Sequence, residues 1–177
     1  MTEARLRQIS PEVFYSDGAF LAVDGQTIDR LKSSARTSPR RRCRLCFHGS
    51  SDASQQEMLI VMHRDSYVRP HRHFGKSETL TVIDGSADTL LFDNQGRVTQ
   101  SIRMSPPAEG QSFFYRMPAG TFHTLIFRSE WFVFLETTIG PFDPAQSEGA
   151  LWAPEESDPT AGHGFLQSLT MPSRTSC

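Results

Sequence analysis

The central part of the chain alternates apolar and polar residues in short runs, the pattern of half-buried β-strands. The runs are rich in Val, Ile, Leu, Phe and Thr, and clusters of Gly, Pro, Asp and Asn separate them. Asp84-Gly85 and the segment 93–96 are predicted turns, because Asn, Asp and Gly tolerate the left-handed dihedrals of tight turns. Short strands this close together favour antiparallel meanders, hence a barrel or a sandwich. The predicted strands are EMLIVMHR, SETLTVIDG, ADTLLFDN, RVTQSIRM, QSFFYRMP, TFHTLIFR and EWFVFLETT.

The flanks of this region have a different pattern. One helix is predicted from Thr27 to Ala35, with Thr27 as its cap. After about Pro154 the chain is rich in Glu, Ser, Asp, Pro, Thr and Gly. Such a composition buries too little apolar area to offset the entropy of ordering, so we expect a loose tail that contacts the domain only at Phe165 and Leu166. We therefore divide the chain into an N-terminal extension with short strands and a helix (1–36), a barrel (37–153) and a tail (154–177).

Composition narrows the class of protein. The 177 residues fit one domain, and a formal net charge of -2 provides no basic field for nucleic acid. No apolar run is long enough to span a membrane, and the N-terminal MTEARLRQIS lacks the apolar core of a signal peptide. We expect a cytoplasmic protein that binds small molecules.

Three cysteines, Cys43, Cys46 and Cys177, are too few and odd in number for a disulfide scaffold. Cys43 and Cys46 are spaced as in a CxxC motif, but no second such pair follows. In a strand, residues three apart face opposite sides, so we expect free thiols rather than a zinc or redox site.

One segment combines the residue types of a metal site. His71 and His73 are two apart, so in a strand both imidazoles point to the same face. Glu78 follows across a bend that contains Gly75, and His123 follows a Pro/Gly turn at the start of a later strand. Three imidazoles and one carboxylate suit a divalent first-row metal and leave coordination positions open. This donor set accepts Fe, Mn, Ni, Co, Cu or Zn.

These residues resemble the two motifs of the cupin superfamily. The first motif, HxH followed by Glu and Gly, is matched by His71, His73, Glu78 and Gly85, and the second, PxGxxH, by Pro118, Gly120 and His123. Two other positions depart from the motifs, with Asp65 in place of the usual Gly and Phe127 in place of the usual Asn. The resemblance implies an all-β fold, a double-stranded β-helix (jelly roll), with His71, His73, Glu78 and His123 as metal ligands.

The chain is more closely similar to the WbuC family of cupin-fold metalloproteins, which occur with bacterial surface-polysaccharide genes. This resemblance implies a homodimer and a link to polysaccharide metabolism, and it assigns no reaction. Sheet-edge pairing by the N-terminal segment is a physical route to such a dimer. The segments that carry it are Ser38 to His48, Asp65 to His73, Phe92 to Val98 and Glu136 to Pro144.

Several polar residues near these motifs are candidates for substrate binding. Alternation places Arg42, Arg44, Cys46 and His48 on one strand face, where guanidinium groups could bind a carboxylate or sugar phosphate. The alternative is a charged edge strand or an oligomer contact. Lys76 lies between predicted ligands and is either a pocket cation or a solvated residue of the bend.

Aromatic residues are frequent in two of the predicted strands, at 113–115 and 131–134. They could form a platform for sugars. Aromatic residues in alternating strands are more often core, and we expect core here.

Two functions from different classes remain open. One is a metal-dependent enzyme on a small polar or carbohydrate-derived molecule, with isomerase, epimerase, lyase and dioxygenase chemistry all compatible with the site. Its candidate acid or base groups are His48 and Glu78. The other is a non-catalytic, metal-dependent sugar-binding or regulatory module. A third, weaker alternative is a structural cupin without a metal.

Overall fold

The computed structural model describes residues 6–17 and 20–169. Within them the chain forms twelve strands and two α-helices, and none of the helices is both apolar and long enough to cross a membrane. In chain order the elements are β1 (Leu6–Ser10), β2 (Val13–Ser16), α1 (Gly25–Thr37), β3 (Arg42–Cys46), β4 (Gln55–His63), β5 (His71–His73), β6 (Glu78–Asp84), β7 (Ala87–Phe92), β8 (Val98–Met104), β9 (Phe114–Met117), β10 (Phe122–Phe127), β11 (Trp131–Ile139), β12 (Ser147–Gly149) and α2 (Pro159–Ser168).

The strands form two sheets that pack against each other as a jelly-roll β-barrel. One sheet has the order β1-β2-β3-β4-β11-β6-β9 and the other β12-β5-β10-β7-β8. Apart from the parallel pair β2 and β3, the strand pairs within the sheets are antiparallel. The seven strands predicted from residue 57 to 138 are confirmed as β4 and β6 to β11.

The main core lies between the sheets. It contains inward-facing apolar residues of both sheets, including Met58, Leu80, Leu125, Phe132 and Phe134. Phe132 and Phe134 are each at most 1% exposed, which confirms the expectation that the aromatic residues of β11 are core. Phe113 and Phe114 differ: they are 44% and 50% exposed, because they lie on or beside β9, at the edge of its sheet.

Helix α1 covers the outer face of the larger sheet. Its buried residues Leu31 and Ala35 pack against the apolar residues of β3, β4 and β11 that point away from the barrel interior. The helix is longer than predicted, and its cap is Asp24 rather than Thr27. Asp24 Oδ1 accepts a hydrogen bond of 3.0 Å from the Thr27 backbone, so Thr27 is the second member of a capping box.

The C-terminal segment covers the outer face of the smaller sheet. Phe165 packs against Trp152, and Leu166 is buried, in agreement with the two contacts expected there. The structure also contains helix α2, capped by Asp158, and a hydrogen bond of 3.0 Å from the Tyr67 hydroxyl to the Pro154 carbonyl. Composition alone did not predict these contacts, and Cys177 lies outside the described residues.

Candidate metal centre and adjoining cavities

Two neighbouring strands bring three histidines together. His71 on β5 is directly opposite His123 on β10, and His73 lies two residues farther along β5. Residues in such positions share one face of the sheet, here the face toward the barrel interior. The ring centroids of His71 and His123 are 4.6 Å apart, and one ligand nitrogen from each of the three rings lies within 4.8 Å of the others.

A hydrogen bond orients each imidazole through its Nδ1 atom. His71 Nδ1 is 2.9 Å from the Arg69 carbonyl, and His123 Nδ1 is 2.9 Å from the Thr121 carbonyl. A carbonyl oxygen only accepts, so these two Nδ1 atoms carry a proton, and the Nε2 atoms are the ones that could bind a cation. His73 Nδ1 lies 2.8 Å from Ser147 Oγ on β12. Such partners are usual for metal-binding histidines.

Glu78 reaches the same point from the opposite sheet, at the start of β6. Its carboxylate oxygens lie 3.2 Å from His73 Nε2 and 3.0 Å from His123 Nε2. Burial acts to raise the pKa of Glu78, but hydrogen bonds from His123 and His73 hold it well below its ordinary value. The bend before β6 uses Gly75 at a φ of 72°, which permits this return of the chain.

The donor set fits a divalent metal ion. Burial lowers the pKa of His71 to about 4, so this imidazole is neutral at physiological pH. Burial also acts to lower the pKa of His123, but its hydrogen bond to Glu78 and the charge of that carboxylate raise it. Nitrogen and oxygen lone pairs therefore converge on one point, where a cation must stabilise them. Protons do so in part, and a divalent ion would replace them.

Two cavities adjoin this cluster inside the barrel. The larger has a volume of about 620 Å³ and is lined by His71, Glu78 and His123 at one end. The smaller, of about 170 Å³, is lined by His71, His73 and Glu78. His71 and Glu78 line both cavities, and each cavity could hold a molecule or part of one.

Glu136 and Tyr115 belong to this site although sequence reasoning did not identify them. Glu136 lines both cavities, and burial together with the charge of Glu78 raises its pKa to about 8. The Tyr115 hydroxyl lies 3.4 Å from Glu78 Oε1, and burial raises its pKa well above the ordinary value. Both lie on strands that pair with β6. Both residues lie on strands whose alternation was predicted, and this was the only signal in the sequence. It did not show that these strands pair with β6, which carries Glu78.

The structure places Arg42, Arg44 and Cys46 on the interior face of β3, as alternation predicted. Arg42 lines the larger cavity, and its guanidinium is 2.8 Å from Glu156, a residue of the segment expected to be loose. Arg44 lines both cavities. Cys43 packs on the opposite side of the sheet from Cys46, which confirms the faces expected for residues three apart, and within the described residues neither thiol forms a disulfide.

His48 and Lys76 line the smaller cavity. His48 Nδ1 contacts the Glu57 backbone, 3.0 Å from its nitrogen, and burial lowers the pKa of the imidazole. Lys76 is 7% exposed, so it is not the solvated residue of a bend. The described residues thus bring Arg44, His48 and Lys76 to one cavity beside the histidine cluster.

Comparison with known proteins gives partial matches. A family model described as "Domain of unknown function (DUF6016)" matches residues 23–104, less than half of the chain. This range contains β3 to β8, with His71, His73 and Glu78 but without His123. No curated protein matches the chain.

Solved structures show low similarity. KdgF from Halomonas sp. is 16% identical with a TM-score of 0.46, over 62% of this chain and 87% of that one. A variant of Bacillus subtilis oxalate decarboxylase is 18% identical, with a TM-score of 0.45, over 54% of this chain and 24% of that one. The capsular polysaccharide assembling protein CapF from Staphylococcus aureus is 15% identical, with a TM-score of 0.45, over 55% and 27% of the two chains. The chain therefore spans only about a quarter of the oxalate decarboxylase and CapF chains.

Proposed function

We propose that this protein is a metal-dependent enzyme acting on a small polar or carbohydrate-derived molecule. The observation that carries the proposal is the convergence of His71, His73, His123 and Glu78 on one point, where they also line two cavities. In this proposal the four side chains are the ligands of one divalent transition metal. The three imidazoles have Nδ1 partners in place, so the Nε2 atoms need no rearrangement to bind.

The remaining residues of the site fit a role in catalysis rather than in structure alone. A divalent ion at this position would polarise a substrate oxygen as a Lewis acid. Glu136 is suited to proton transfer, because a carboxyl group with a pKa near 8 is mostly protonated at neutral pH and can still release its proton. His48 and Glu78 remain the other candidates, the latter only if it leaves the metal.

The cavities define where a substrate would bind. Arg42 and Arg44 line the larger cavity, and Arg44, His48 and Lys76 line the smaller, so we assign these four side chains to substrate binding. The link to surface-polysaccharide metabolism is part of the proposal and rests on the segments that resemble the WbuC family.

Metal analysis followed by a turnover assay tests the proposal. Protein purified without a metal-affinity tag should contain about one transition-metal ion per chain. The loaded protein, offered sugar acids and nucleotide-sugars, should convert one of them to a product detected by mass spectrometry, and chelation should abolish the conversion. Binding without a product would favour the sugar-binding module, and the absence of any stoichiometric metal would leave the structural alternative.

A cytoplasmic homodimer completes the proposal. Strand β1 lies at the edge of the larger sheet, and within residues 6–17 and 20–169 no strand pairs with its outer side, which supports pairing with a second copy. Light scattering after size-exclusion chromatography should give the mass of a dimer, whereas a monomer mass would contradict this part.

A further inference from the structure

Most of the arginines around the larger cavity are already neutralised. Arg40 forms ion pairs with Glu12 and Glu156, and Arg42 shares Glu156. Arg69 pairs with Glu155. These pairs tie the segment after β12 to the barrel. An anionic ligand would have to displace a carboxylate to use these guanidinium groups.

Arg44 and Lys76 differ from these arginines. Arg44 Nε is buried without a hydrogen-bond partner, and Lys76 is 7% exposed. Within residues 6–17 and 20–169, no carboxylate forms an ion pair with either side chain. The Lys76 ammonium lies 6.0 Å from the centre of the Phe142 ring. Both side chains line the smaller cavity.

Unpaired cations inside a protein are costly, because they have lost water without gaining a partner. Two carboxylates lie nearby. Glu78 already accepts from His73 and His123. Glu136 lines the same cavity and its charge interacts with Arg44 and Lys76, but it forms no ion pair with either. The cavity thus presents two cationic donors to its interior, and any metal ion on the histidines would add further positive charge.

We propose that the smaller cavity binds an oxyanion group of the substrate, held by Arg44 and Lys76 beside the histidine cluster. This inference rests on the proposed function and assigns its substrate to the anionic class. A guanidinium can donate two parallel hydrogen bonds to a carboxylate or a phosphate, and an ammonium adds a point charge. A cavity of about 170 Å³ has room for such a group, while the rest of the molecule would extend past the metal ligands into the larger cavity.

The test measures binding of acetate and of inorganic phosphate, with acetamide as the neutral analogue of acetate. Titration calorimetry at constant ionic strength is run on chelated protein and on metal-loaded protein. Chelated protein should bind at least one anion saturably and should not bind acetamide. Binding of acetate would indicate that the smaller cavity accepts a carboxylate. Binding of phosphate would indicate that it accepts a phosphoryl group.

Variants locate the binding site. Arg44→Gln and Lys76→Gln should each weaken binding by about tenfold or more, because each removes charged hydrogen bonds. Arg97→Gln, which removes an exposed arginine paired with Asp93, should bind as the unmodified protein does. Arg44→Lys keeps the charge but loses the bidentate geometry, so it should weaken binding less than Arg44→Gln does. This variant provides the test if Arg44→Gln does not fold.

Absence of saturable binding of both anions, or equal affinity in folded Arg44→Gln or Arg44→Lys, would overturn the inference. Metal content is measured on the same samples. If the protein contains a stoichiometric metal but binds neither anion, the anion-binding site is rejected and the proposed function is not. If the protein binds an anion but never acquires metal, the anion-binding site is supported and the proposed metal-dependent function is rejected.

Discussion

Glu78 on one sheet lies within 3.0 Å of His123 Nε2 on the other, so the candidate metal centre joins the two halves of the barrel. The contact brings together the two sequence motifs, which are separated by three intervening strands. Neither sheet alone provides a complete set of donors. The order of strands, rather than any single segment, builds the site.

This arrangement predicts that single ligand substitutions empty the site without unfolding the barrel. His73→Ala and His123→Ala should each reduce metal content about tenfold or more, since each removes one donor of four. Far-ultraviolet circular dichroism should change little. His163→Ala, in helix α2, is the matched control and should retain its metal. Full occupancy in both ligand variants would reject the assignment.

The hydrogen bond between His73 and Ser147 leads to a second prediction. Ser147→Ala removes the hydroxyl that lies 2.8 Å from His73 Nδ1 and orients the ring. The metal affinity should therefore fall about tenfold, while the four ligands can still bind the ion. A competition titration with a chromogenic chelator measures this. Ser33→Ala, on the exposed face of α1, should leave the affinity unchanged, and an equal loss in both variants would point to general destabilisation.

The seven central strands and the common face of His71 and His73 could be predicted because both depend on local period-two patterns, whereas Glu78 and His123 were joined to them through the resemblance to the cupin motifs. His71 and His73 share a face in any strand, and Gly75 and the turn at 118–120 mark where the chain returns. The partners of these residues could not be predicted in the same way. Ser147, Glu136 and Tyr115 reach the cluster only through strand pairing, which no local pattern records.

The C-terminal segment shows the same limit. Its polar composition predicted few contacts, yet Glu155 and Glu156 pair with arginines at the mouth of the larger cavity. Arg42 therefore lies on the predicted strand face, but its guanidinium already forms an ion pair with Glu156. These ion pairs form because segments far apart in the sequence carry complementary charges. The average composition of a segment does not reveal such pairs.

Glu136 gives a prediction on pH and stability. Its pKa is about 8 in the folded protein and 4.5 ordinarily, so the folded state retains a proton that the unfolded state loses between these values. The contribution of Glu136 to the free energy of unfolding of chelated protein should therefore fall as pH rises from about 5 to 8. Glu136→Gln should remove this dependence and be more stable at pH 7 by at most about 3 kcal/mol, with no gain below pH 4.5. Urea unfolding at several pH values measures it, and parallel curves for the two proteins would contradict the prediction.

The buried thiol of Cys43 should be unreactive in the folded protein. Burial raises its pKa to about 12, so almost none is thiolate at pH 8, and the thiolate is the reactive form. Iodoacetamide at pH 8 should leave Cys43 and Cys46 unmodified, as peptide mass spectrometry would show. Both should react after denaturation in urea. Modification of Cys43 in folded protein at the rate of a free thiol would contradict its burial.

Gly85 ends strand β6 at a φ of 77°, and a Cβ atom there would lie 2.0 Å from the Trp131 carbonyl oxygen. Gly110 has a similar φ of 72° but has no heavy atom within 4 Å of that position. The pair separates backbone strain from steric conflict. Gly110→Ala should cost about 1–2 kcal/mol, the strain of an L-residue in the left-handed region. Gly85→Ala should cost more than about 3 kcal/mol, because the backbone of β11 must also move. Urea unfolding measures the free energy of unfolding of the two variants. Equal losses would show that the backbone at Trp131 shifts at little cost, and that Gly85 is required only for its positive φ.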